Sequence, residues 1–204
     1  MSKLFFSIAG LGGVTGLGGG AYLLHLNSRS VTEKKTIKDR LQKAGFQILN
    51  DSESQHWKTL KDAYNAAKGE ESKVFAKSNS DIDEGKLREL CNSVLEKGEE
   101  DASYSKAKRW CVVPTTVSDY LGKLGRRALS TATSGEVDKT QWEDLASKYE
   151  NSQDKIASLS SLGSDKKWES LRKECGTLGA KKNYEDNFDS NLASSQTWCS
   201  VSVS

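Results

Sequence analysis

Four blocks of this chain recur in the same order, so whatever unit the first half folds into, the second half must fold into again. Thr36, Asp39, Leu41, Lys43, Gly45 and Leu49 align without a gap with Thr116, Asp119, Leu121, Lys123, Gly125 and Leu129, an offset of 80 residues. Trp57, Leu60 and Tyr64 then match Trp142, Leu145 and Tyr149. Leu87, Arg88 and Cys91 match Leu171, Arg172 and Cys175, and the pair Trp110-Cys111 matches Trp198-Cys199. The spacing between blocks changes by only a few residues. A chain of 204 residues divided this way holds two small units rather than one large core.

Each block has helical spacing. Thr36 and Thr116, each with an aspartate three residues on, suit helix N-termini, and Gly45 and Gly125 suit the left-handed residue that closes one. Trp57, Leu60 and Tyr64 fall on one apolar stripe, as do Leu87, Leu90, Cys91 and Val94. Tyr104, Ala107 and Cys111 form a third stripe in the first copy; Trp168, Leu171 and Cys175, and then Tyr184, Phe188 and Leu192, continue the pattern in the second. One proline and a supply of Lys, Glu, Ala and Leu favour helix throughout. The expected fold is mainly α: an N-terminal transmembrane helix followed by two tandem copies of a small helical-bundle unit, over residues 29–113 and 114–204. Val112-Val113-Pro114 is the natural connector, because proline biases the preceding residue towards extended backbone. The second copy carries a polar loop, Ser130 to Gly135, that makes it five residues longer between Leu129 and Trp142.

Each copy holds two cysteines. If they are oxidised, the duplication selects one connectivity of three: Cys91 with Cys111 and Cys175 with Cys199. A bridge closing such a loop contributes about 3 kcal/mol in the chain-entropy model, comparable with the whole stability of a small unit. That arrangement belongs in an oxidising, extracytoplasmic setting. The alternative is four buried free thiols, since every cysteine lies on an apolar stripe. No Cys-x-x-Cys occurs, and neither His25 nor His56 is near a cysteine in sequence, which disfavours zinc and redox chemistry.

Leu4 to Leu24 is a run of 21 uncharged residues behind Lys3, long enough to span a bilayer as a helix. Residues 1–28 are therefore assigned as a membrane anchor, with a cleaved signal sequence as the other reading. Gly12, Gly16 and Gly20 fall on one face, which would let two such helices approach closely and so bring in a second copy of the chain. Topology is pulled both ways. Arg29, Lys34, Lys35, Lys38 and Arg40 follow the segment, and the positive-inside rule would keep the body cytoplasmic. Disulfides would place it outside.

No catalytic constellation emerges. His56 is replaced by Gln141 in the second copy, and the acidic runs Asp81 to Glu84 and Glu99 to Asp101 lack the alternating oxygens of a calcium loop. Gly16 to Ala21 resembles a dinucleotide fingerprint but lacks the strand, amphipathic helix and acidic residue the fingerprint requires. No cofactor or metal site is expected. The net charge of +2 gives no basis for binding nucleic acid.

The glycine-rich membrane segment, the Trp-x-x-Leu stripes, the Trp-Cys pairs and the junction Cys111-Val-Val-Pro114-Thr-Thr together resemble paralogous membrane and surface proteins of haemotropic mycoplasmas. The resemblance covers essentially the whole chain and rests on layout and composition. It implies a surface location and a host-facing role, and carries no catalytic residues. Two functions follow as expectations: an extracytoplasmic interaction or antigenic surface that meets a host or other protein partner, and, alternatively, a cytoplasm-facing adaptor tethered to the bilayer and self-associating through the glycine face.

Overall fold

The structure is a computed structural model that describes residues 35–203. The expected anchor, residues 1–28 with Gly12, Gly16 and Gly20, lies outside the described residues. Among those described, eight helices and two short strands follow one another. The first copy contributes α1 (Ile37–Lys43), α2 (Ser54–Ala67), α3 (Glu84–Leu95) and α4 (Tyr104–Trp110). The second contributes α5 (Val117–Lys123), β1 (Arg126–Ala128), α6 (Lys139–Asn151), α7 (Lys167–Gly179), α8 (Phe188–Trp198) and β2 (Ser200–Ser202). No described helix is long and apolar enough to cross a membrane.

Matched residues make matched hydrogen bonds. Thr36 and Thr116 are both N-caps whose hydroxyls accept from the backbone N–H of Asp39 and Asp119. The turns after α1 and α5 close on Gly45 and Gly125 at φ +86° and +69°, where a side chain would be strained. The Trp57 indole donates to the Asn50 carbonyl, and the Trp142 indole donates to the equivalent carbonyl of Ser130. Trp110 and Trp198 donate in the same manner to Lys73 and Asp154. The hydroxyls of Tyr64 and Tyr149 accept from the N–H of Phe75 and Ile156, pinning the irregular segment that follows α2 or α6. Each of these matched Trp and Tyr rings therefore keeps its polar handle satisfied while its body fills the core.

The segments after Gly45 and Gly125 are extended rather than helical. Ile48 bridges antiparallel to Val112, and in the second copy the same pairing widens into the ladder of β1 with β2, with Ala128 opposite Ser200. Val112, read in the sequence as part of a connector, is thus a fully buried pairing residue of the first copy. Tyr184 sits in a turn ahead of α8, so Tyr184, Phe188 and Leu192 are not one helical stripe. In α6 the stripe shifts from Leu145, which is half-buried, to the buried Ala146. The second Trp-Cys pair lies four residues later relative to its cysteine partner, and α8 absorbs the insertion as about one extra turn.

One core crosses the boundary between the copies. Val117, Tyr120 and Phe188 join the cluster built from the first copy. Tyr120 stacks on Phe46 with ring centroids 4.5 Å apart, meets Phe188 edge-on, and donates its hydroxyl to the Ala44 carbonyl.

Candidate functional site

Three features could serve a function: the cysteine staples, an arginine beside each first cysteine, and the seam between the copies. The cysteines pair as the duplication requires. Cys91 is bonded to Cys111 and Cys175 to Cys199, both with Cα atoms 5.4 Å apart. All four are buried, in α3 and α7 and just after α4 and α8. Each staple ties a helix to the strand-forming tail behind it: Leu49 and Leu129 donate their N–H to the Cys111 and Cys199 carbonyls. These disulfides are internal braces, with no free cysteine among the described residues.

Arg88 and Arg172 stand at equivalent points, one turn before the first cysteine of each copy. Arg88 lies 4.8 Å from the Trp57 ring centroid and pairs with the Asp51 carboxylate at 2.7 Å. Arg172 is 7% exposed and lies 4.6 Å from the Trp168 ring centroid, one turn back on its own helix. Its one side-chain hydrogen bond among the described residues runs to the Ala132 carbonyl at 3.0 Å. The loops entering α2 and α6 share an acidic clamp, because Glu53 accepts from the Asn50 N–H and Asp138 from the Ser130 N–H. Asp138 also receives both guanidinium arms of Arg127, which holds its carboxyl below the usual carboxylate range. Beside Arg172 lies a pocket of about 420 Å³.

The seam is asymmetric. Asn183 is 3% exposed and joins the copies in three ways. Its side-chain oxygen accepts from the Thr115 N–H, its amide nitrogen donates to the Lys108 carbonyl, and its own N–H donates to the Thr115 carbonyl. Asp186 is shared by Lys73 and Arg109, each at 2.8 Å, and these two bonds lower its pKa; Lys73 is raised in turn, first by Asp186 and then by Glu70. Lys108 pairs with Asp189 at 2.6 Å. A groove of about 600 Å³ opens beside this network between α2 and α7. None of these seam residues has a matching counterpart: Asn183 aligns with Glu99, Asp186 with Ala102 and Asp189 with Ser105. The sequence repeat therefore pointed away from them. His56 is half-buried in α2, and among the described residues no group of three or more His, Cys, Asp or Glu side chains is placed to hold a metal ion.

No protein-family model matches this chain, and no curated protein or solved structure matches it.

Proposed function

We propose that this chain is a single-pass membrane protein whose segment Leu4 to Leu24 anchors a disulfide-braced double helical unit outside the cytoplasm. There the body acts as a non-enzymatic interaction or antigenic surface, as its resemblance to surface proteins of haemotropic mycoplasmas implies. The two staples carry this reading. Disulfides at matching positions in both copies are stable in oxidising compartments and rare in reducing ones. The surface composition is in keeping with it: Leu124, Val137 and Val203 are the large apolar side chains exposed among the described residues, too few to make a large apolar patch. A surface of this kind meets a partner through polar and charged contacts.

The basic flank from Arg29 to Arg40 favours a second reading, a cytoplasm-facing tether self-associating through Gly12, Gly16 and Gly20. A membrane-impermeant amine label on intact cells separates the two. Modification of exposed lysines such as Lys148 and Lys166 without lysis is the expected result. Protection of the whole body until the bilayer is opened would overturn the extracytoplasmic reading and establish the tether.

A further inference from the structure

The two copies differ most instructively at their arginines. In the first, Arg88 has an internal carboxylate, Asp51. The indole bonds of Trp57 and Trp142 to Asn50 and Ser130 fix the register of the two loops, so Asp51 corresponds to Thr131. The second copy lacks the counter-ion and buries the cation more deeply. Arg172 is 7% exposed, and among the described residues its guanidinium makes no ion pair with a carboxylate. A cation this deep is costly unless an opposite charge balances it, and a hydrogen bond to the Ala132 carbonyl and the Trp168 ring supply only part of that balance.

The surroundings of Arg172 suit an anion. Its pocket of about 420 Å³ is also lined by the hydroxyl residues Thr131, Thr133 and Ser170, and by Lys173, which makes no ion pair among the described residues. The one acidic side chain in the lining, Glu169, pairs with Lys166 at 3.2 Å. Thr131 lies against Gly176, one turn beyond Arg172 on α7: a Cβ built on that glycine would be 3.5 Å from the Thr131 Cβ. The side chain that stands where the first copy has the aspartate therefore borders the guanidinium's own helix. Folding has already stripped Arg172 of most of its water and set it against the Trp168 ring, so an incoming anion meets an oriented donor with little further desolvation. The planar guanidinium fork matches a carboxylate, the group it holds in the first copy.

We propose that the second copy binds a small organic carboxylate at Arg172, the ligand supplying the group that Asp51 supplies internally in the first copy. The pocket hydroxyls suit a hydroxy acid. The proposal is independent of which side of a membrane the body faces, so it stands or falls separately from the topology.

The test uses the full chain in neutral detergent with both disulfides intact, titrated with acetate and with glycolate at ionic strength balanced by chloride. Trp168 is the reporter, because an anion on Arg172 changes the charge beside its ring. A saturable change in tryptophan emission is expected, and Trp168→Phe should abolish it. Thr131→Asp restores the first copy's internal carboxylate; it should melt at or above wild type and weaken binding by about tenfold or more, the range for losing one charge-assisted contact. No saturable response to either acid would overturn the proposal, as would a Thr131→Asp variant that binds like wild type or melts below it. A response to sulfate with none to either carboxylate would overturn the ligand class.

Discussion

Replacing Ser195 with alanine should stabilise this protein. Ser195 lies in α8, is 0% exposed, and its hydroxyl has no hydrogen-bond partner among the described residues. Its counterpart in the first copy is Ala107, also 0% exposed, so the same core position is filled once by a methyl and once by a hydroxymethyl. A buried polar group left unpaired costs about 1–3 kcal/mol. Alanine removes that cost and adds a few tenths of a kcal/mol of helix propensity, while losing about one buried oxygen's worth of dispersion contact. The hydrogen bond from the Ser200 hydroxyl ends on the Ser195 carbonyl, which alanine retains. The net expectation for Ser195→Ala is about 1 kcal/mol of added stability, a melting rise of about 2–4 °C in a body of this size. Ala107→Ser should lower stability by about 1–3 kcal/mol, since it creates the same unpaired hydroxyl. Urea unfolding with both disulfides intact measures both. A Ser195→Ala variant less stable than wild type would show that the hydroxyl is satisfied after all, and the reasoning from the matched alanine would fail.

The two staples close loops of 20 and 24 residues, so replacing either cysteine pair by alanine should cost a similar amount, about 3 kcal/mol each; urea midpoints differing several-fold between the two variants would contradict this. Asp138 has its folded pKa depressed by Arg127, so its contribution is complete above the ordinary carboxylate range near 3.8 and is lost as pH falls below it. Asp138→Asn, which tolerates the left-handed backbone at φ 60°, should therefore flatten the acid limb of the stability profile below about pH 4, and an unchanged limb would refute the assignment. Asn183→Ala strands the Thr115 N–H and the Lys108 carbonyl at the seam and should lower stability by about 2 kcal/mol or more, read from chemical denaturation.

The repeat made the helices, the glycine turns and the cysteine pairing legible, because each rests on a local rule that the chain states twice. Gly45 and Gly125 illustrate this, since a left-handed residue after a capped helix needs glycine in both copies. The short pairings of Ile48 with Val112 and of β1 with β2 were not legible. Three residues carry too little alternation to separate a strand from a helix tail, and the pairing joins positions far apart in sequence. The seam was hidden for a different reason. A tandem pair packs with unlike faces, so Asn183, Asp186 and Asp189 have work that their counterparts do not share. Comparing the copies found the common frame, and the differences between them mark the seam and the Arg172 pocket.

The most direct test of an oxidised, extracytoplasmic body is the number of free thiols on the full chain as it exists in the cell. Cells carrying it are quenched in acid, denatured, and treated with a mass-shifting maleimide before and after reduction. No cysteine should be modified before reduction and all four after it. Modification of the four without reduction would place the body in a reducing compartment and contradict an oxidised, extracytoplasmic body.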